Sequence, residues 1–294
     1  MADIIFPNLG ITINNLNQVA FRPFGLEIYW YAIFVVAGIV AGYFFGAYYI
    51  PKKSGQSPKI YESFAYWVIP FAIIGGRLFY VIFSDRSFSG LEIFNIRTGG
   101  IAIWGVILTS FIVALIYCRV KKLSFLNLAD TAIAGLVIGH VIGRFGNFTN
   151  REAFGGFAPD SAPFAMQLRL DQIRMRLDPS NYYHQEILDN MFVSNGVQYI
   201  QVHPVFFYEA AINLALFGFL LFYRKFKKFN GELIAIYFLS YGITRFLLET
   251  MRTDQLHIGT SNIAVAHVLS AAAAIFGAGF LIYGHINHRK KKTA

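Results

Sequence analysis

The chain has 294 residues, 56% of them hydrophobic and only 14% charged, whereas a soluble domain carries about 25% charged residues. Several apolar windows reach the roughly 20 residues that a bilayer-spanning helix needs, which excludes a single water-soluble globular domain. The formal net charge is +9, but every lysine falls in one of four clusters that each follow an apolar run: PKKSGQSPK (51–59), RVKK (119–122), RKFKK (224–228) and HRKKK (288–292). This is the positive-inside pattern of cytoplasmic loops, and not the continuous, aromatic-interleaved basic tract of a nucleic-acid binder.

The expected fold is an all-α polytopic membrane protein, a single integral membrane domain over 1–294. Apolar runs place seven transmembrane helices at about 28–50, 62–84, 101–118, 125–144, 204–223, 232–250 and 263–285. The lysine clusters follow helices one, three, five and seven. Alternation then puts the N-terminus outside and the C-terminus inside. A small extracytoplasmic segment, 145–203, is inserted between helices four and five. Its MQLRLDQIRMRLD (166–178) mixes apolar residues with arginines, which reads equally as a surface-lying amphipathic helix or as a loop with a helical turn. The N-terminus lacks the layout of a cleaved signal peptide. The lone Cys118 forms no disulfide within the chain and reads as a small apolar helix residue.

Ionisable side chains in a bilayer are costly and usually mark function. At 1.5 Å of rise per residue, Arg77 lies about 24 Å along helix two, Arg245 about 21 Å along helix six, and Glu209 under about 10 Å from the outer start of helix five. Arg144 ends helix four, and Tyr29 and Tyr31 open helix one. Five helices thus bring polar groups to one depth, the outer third of the membrane. Arg245, Glu249 and Arg252 share one helix face, where Glu249 can hold both guanidinium groups. His140 and Arg144 stand one turn apart. A net cationic pocket opening toward the outer leaflet is therefore expected. Arginine's planar fork suits the phosphate of a membrane lipid, with Asn147, Asn150 and the glycine of GNFTN giving neutral donors and close backbone approach.

With these residues in view, GRFGNFTNRE (143–152) strongly resembles the signature of the bacterial prolipoprotein diacylglyceryl transferases. YWY (29–31), GGRLFYVIF (75–83), GGIAIWG (99–105), HPVFFYE (203–209) and RFLLETMRTD (245–254) resemble further blocks of that family, in order. The resemblance implies transfer of a diacylglyceryl group from phosphatidylglycerol to the lipobox cysteine thiol of a prolipoprotein signal peptide. A thioether forms and glycerol phosphate leaves, on the outer face of the bacterial cytoplasmic (inner) membrane. It implies that Arg144 binds the lipid phosphate and that Arg245 stabilises charge on the leaving phosphate. Asn147, Asn150 and Glu152 shape the same site, with Tyr31, Arg77, Glu209, Glu249 and Arg252 in support. It implies no metal and no cofactor, since the nucleophile belongs to the substrate, and no nucleic-acid partner.

The chain departs from the family pattern twice. Trp104 stands where many members have a histidine, and VAH (265–267) replaces the usual element near the start of helix seven. His140, His203 and His267 are then the candidate proton acceptors. An anion transporter, or a scaffold binding anionic lipid without chemistry, remains an alternative, because cationic residues in a bundle can also line a pathway. No internal repeat of the kind many transporters carry is visible.

Overall fold

The computed structural model describes residues 2–84, 86–95, 99–257 and 263–293. Residues 258–262, between the sixth and seventh expected helices, lie outside the described residues, as do 85 and 96–98, between the second and third. The chain forms two compact units, Met1–Ala41 with Leu136–Ala294, and Gly42–Gly135. In chain order the helices are α1 (Trp30–Tyr43), a π-helical stretch Phe44–Tyr49, α2 (Ile50–Lys53), α3 (Pro58–Phe83), α4 (Ile103–Lys121), α5 (Phe125–Asn150), α6 (Tyr182–Asp189), α7 (Val205–Tyr223), α8 (Glu232–Glu249) and α9 (Val265–Thr293). Among the described residues, six helical runs are long and apolar enough to cross a membrane: Trp30–Lys53, Pro58–Phe83, Ile103–Lys121, Phe125–Asn150, Val205–Phe226 and Val265–Lys292. Helix α8 falls where the sixth of the seven spans was expected, but its 18 residues include Glu232, Arg245 and Glu249, so composition alone does not mark it as a span. Large apolar side chains such as Val40, Ile107, Ile116, Ile275 and Ile282 are exposed on these helices, the arrangement of helices that face hydrocarbon.

The second unit is helical. Pro51 cannot donate a backbone hydrogen bond and its ring crowds the preceding turn; the π-helical stretch just before it absorbs the mismatch. Helices α3 and α4 approach through glycine. A Cβ on Gly105 would lie 2.5 Å from the Gly75 carbonyl oxygen, so small residues set the separation, as is usual between helices in lipid. Cys118 is buried in the core of this unit, with Ala65, Ala114 and Leu128.

Arg77 belongs to this unit, and its surroundings differ from the expected anion pocket. It is 4% exposed. Nε donates to Ile93 O at 2.8 Å, Nη2 to Glu92 O at 2.8 Å, and Nη1 to Gly99 O and Gly100 O at 2.9 and 3.1 Å. Its guanidinium also lies over Tyr80 and Phe88. Four of its five N–H groups are taken by loop carbonyls, so the side chain pins Glu92, Ile93, Gly99 and Gly100. Arg77→Met should therefore act on stability. Buried groups left unpaired cost about 1–3 kcal/mol each, so a markedly lower Tm and faster proteolysis within 90–100 are expected. An unchanged Tm would remove the pinning role.

The first unit is not all-α, which corrects the sequence expectation. It contains β1 (Ala2–Phe6), β2 (Ile11–Asn14), β3 (Val19–Phe21), β4 (Ile28–Tyr29), β5 (Met166–Arg169), β6 (Phe192–Ser194) and β7 (Val197–Val202). Five strands form an antiparallel sheet in the order β2-β1-β5-β7-β6, and β3 and β4 form a hairpin. Of the two readings of 166–178, an amphipathic helix or a loop with a helical turn, the helix is not found: the segment begins as β5 and continues in a 3-10 turn, Leu170–Gln172. The physical reason is the period. Met166 and Leu168 are buried while Gln167 and Arg169 are not, an alternation that fits a strand. Ile4 pairs with Leu168, and Leu168 with Ile200. These residues join Phe6, Phe154, Ile187 and Phe206 in one core, which seats the sheet on the first turn of α7. Asp3 ties the N-terminal strand down. It accepts from Leu16 N at 2.7 Å and Gln172 Nε2 at 3.1 Å, and lies 3.7 Å from Arg151 and 3.6 Å from Arg169.

Candidate functional site

All the groups of the site lie in the first unit, and the site begins with one carboxylate. Glu209, in the first turns of α7, is 1% exposed. Its Oε1 pairs with Arg144 Nη2 from α5, and its Oε2 lies 3.8 Å from Arg245 Nη1 on α8. Arg245 Nη2 in turn lies 2.7 Å from Glu249 Oε2, one turn along the same helix. Arg252 Nε is 4.0 Å from that oxygen, but its fork closes on Asp254 at 2.9 and 2.6 Å. Three helices thus converge on one network, with Glu209 at its centre rather than in a supporting place.

The charge balance also departs from the sequence reading. Three guanidinium groups (Arg144, Arg245, Arg252) face three carboxylates (Glu209, Glu249, Asp254). The cluster is formally neutral, not net cationic. A guanidinium taken out of water without a counter-charge is strongly destabilising, and these carboxylates are what let the arginines stand inside a bundle.

The signature residues form a second branch. Helix α5 continues through Asn150, beyond its expected end at Arg144, and so carries Asn147 one turn past the arginine. Arg144 Nη1 donates to Asn147 Oδ1 at 3.3 Å, and the Asn147 and Asn150 amides both donate to Glu152 Oε1, at 3.1 and 3.2 Å. Glu152 Oε2 lies 3.8 Å from Arg174. The chain folds back to allow this. Arg151 and Ala153 adopt φ of 52° and 55°, a region costly for side chains other than glycine. Arg151 is held there by Leu16 O and Asp3. Tyr31 lies against Gly146, where a Cβ would stand 2.8 Å from the ring, so glycine is what lets that ring approach the site. Just beyond, Gly155 N donates to His203 O at 2.8 Å and Gly156 N to Met251 O at 2.9 Å, joining the ends of α5, α7 and α8.

A family model for prolipoprotein diacylglyceryl transferase matches residues 18–283. The chain is similar to the phosphatidylglycerol--prolipoprotein diacylglyceryl transferase of Finegoldia magna, 34% identical over 265 residues, 89% of this chain and 93% of the relative. It is similar to proteins of the same name from Lysinibacillus sphaericus, 33% identical over 283 residues (95% and 96%), and Staphylococcus aureus, 34% identical over 282 residues (95% and 93%). The chain belongs to the prolipoprotein diacylglyceryl transferase family.

In this member of the transferase family the three candidate histidines stand in different places. His140 lies one turn from Arg144, with its ring centroid 5.7 Å from Tyr241 and 6.4 Å from Tyr237. His203 Nδ1 is 3.3 Å from the Tyr208 hydroxyl, and burial holds its imidazole below the usual pKa. His267 meets Phe246 edge-on at 5.0 Å. Trp104 is exposed in the first turn of α4, within the second unit. The structure thus brings Arg144, Arg245, Glu209, Glu249, Arg252, Asn147, Asn150 and Glu152 into one bonded network and sets Tyr31 and His140 against it. Sequence reasoning missed Asp254, Arg174 and Tyr241. Asp254 lies inside the quoted RFLLETMRTD, and an acid two residues after an arginine was the available signal.

Proposed function

We propose that this transferase moves the diacylglyceryl group of phosphatidylglycerol to the lipobox cysteine thiol of a prolipoprotein. Phosphatidylglycerol and prolipoprotein are the substrates in the names of its relatives; the lipobox cysteine belongs to this proposal. The observation that carries the site assignment is the pair of guanidiniums, Arg144 and Arg245, brought from two helices onto the single buried carboxylate of Glu209. A phosphate placed between them receives two forks already aimed. The substrate sulfur forms a C–S bond to the terminal glycerol carbon as the C–O bond to phosphate breaks. The electron pair goes to the phosphate oxygen, and glycerol phosphate leaves with one more negative charge than the diester carried. That added charge is what a preorganised arginine pair stabilises in the transition state. Asn147, Asn150 and Glu152 hold Arg144 in register.

The thiol must lose its proton to attack. His140 is the candidate acceptor nearest to Arg144. General-base catalysis contributes about 10²–10⁴-fold, so His140→Gln should lose most of its rate at pH 7 and regain part of it at higher pH, where more thiolate forms unaided. Little change at any pH would assign deprotonation to the arginine field alone.

The lysine clusters support an outer-leaflet site, with α8 as a seventh crossing and the sheet of β1, β2, β5, β6 and β7 outside the bacterial cytoplasmic membrane. Cysteines introduced at Ser87 and Asn181 should react with an impermeant thiol reagent added to intact cells, and one at Gln56 should not. Reaction at Gln56 alone would invert the topology. The function itself is tested by transfer of labelled diacylglycerol from phosphatidylglycerol vesicles to a lipobox peptide. A thioether product that is lost when the peptide cysteine becomes serine is expected. Lipid binding without product would leave a scaffold, and anion flux without product a transporter.

A further inference from the structure

One turn beneath the ion-pair network lies a second polar layer that the steps above leave largely unused. Asn213 in α7 is 1% exposed, and neither its Nδ2 nor its Oδ1 has a hydrogen-bond partner among the described residues. It follows Glu209 by four residues on the same buried face. His140 precedes Arg144 by four residues, and Tyr241 precedes Arg245 by four. Each therefore sits about 6 Å further from its helix end than its partner in the network. Because Arg144, Glu209 and Arg245 meet, these three residues form the next layer inward. His140 and Tyr241 are partly exposed, while the amide atoms of Asn213 are covered. A buried amide left unpaired is costly, and an apolar residue of similar shape would carry no such cost. Groups that break this rule in a native fold are expected chiefly at functional sites.

We propose that Asn213 is the subsite for an acyl-ester carbonyl of the donor lipid, with Nδ2 as the donor. This rests on the reading that Arg144 and Arg245 hold the lipid phosphate. With the phosphate there, the glycerol carbons come next along the lipid, and then its two ester groups. One helical turn matches that step. An ester carbonyl brings acceptor lone pairs and no donor, which suits an amide N–H that hydrocarbon leaves unpaired. An ether linkage has no carbonyl to offer. The subsite therefore selects 1,2-diester over 1,2-diether glycerophospholipid, and it also fixes the glycerol carbon that the thiol attacks.

The test compares transfer from diester phosphatidylglycerol and from its dialkyl-ether analogue, in the parent protein and in Asn213→Leu. The parent should show a KM roughly tenfold to a hundredfold higher for the ether donor, the range expected when one buried donor loses its acceptor. Asn213→Leu should raise the diester KM toward the ether value, leave the ether KM unchanged, and keep or raise Tm. Equal use of both donors by the parent overturns the subsite. So does a variant with a lower Tm and the parental ester-to-ether ratio, which would show the amide to be held by water or by protein. Absence of any transfer from the diester by the parent would instead overturn the transferase reading beneath it.

Discussion

Arg144→Lys is expected to lower kcat/KM for diacylglyceryl transfer by about 10²- to 10³-fold, the loss found when one preorganised donor to a developing oxyanion is removed. Lysine keeps the charge but not the fork. Arg144 uses Nη2 on Glu209 and Nη1 on Asn147, leaving Nε and the remaining N–H groups for a phosphate. An ammonium is a point charge with three donors on a flexible stem, and it cannot serve both protein partners and a phosphate in one plane. The change is about one guanidinium at the rim of the network, where Arg144 is partly exposed, so the variant should stay folded and inserted. Transfer rates alongside thermal melts check both halves. A near-parental rate would make Arg144 an interfacial anchor only.

Glu209→Gln should have a second large effect, this time on stability as well as rate. The carboxylate is the charge that two guanidiniums share. Removing one partner of a buried ion pair costs about 3–5 kcal/mol, because the remaining charge is left uncompensated. Here the loss also turns a balanced set of three positive and three negative groups into a net positive one. The variant should melt well below the parent and transfer little. It should also gain more Tm than the parent from phosphatidylglycerol, whose phosphate replaces the missing charge. Pairing it with Arg144→Gln should restore part of the Tm but none of the rate. A single variant with parental Tm would show that Glu209 does not hold the arginines.

Much of this was legible in the sequence, and the limits have physical causes. Six of the seven expected spans are found as helices long and apolar enough to cross a membrane, because such runs leave few other readings; α8 forms at the remaining place, but its charges keep composition from marking it as a span. The end of α5 was misplaced because Arg144, Asn147 and Asn150 interrupt the apolar run, although the helix continues and uses them. The sheet was missed because its decisive pairings are distant. Ile4 meets Leu168, and no local pattern reports that. The local clue, Met166 and Leu168 in with Gln167 and Arg169 out, was diluted by the arginines that follow. The clustering of Arg144, Glu209 and Arg245 was legible from depth alone, yet depth says nothing about partners. Glu209 and Glu249 were placed but Asp254 was not, and without the partner of Arg252 the count came out cationic where the structure holds a balanced cluster. Arg77 shares the expected depth and is nonetheless spent on loop carbonyls.

The central claim is that Arg144 and Arg245 act together on one phosphate through Glu209. A double-mutant cycle on kcat/KM tests it most directly, using Arg144→Lys, Arg245→Lys and the pair in the phosphatidylglycerol-to-peptide assay. Groups acting as a unit are strongly non-additive, since the first loss already disrupts what the second would remove. The account predicts that the double variant is little worse than the more damaged single one. Fully additive losses, the product of the two single effects, would mean that the arginines work at separate sites and would contradict it.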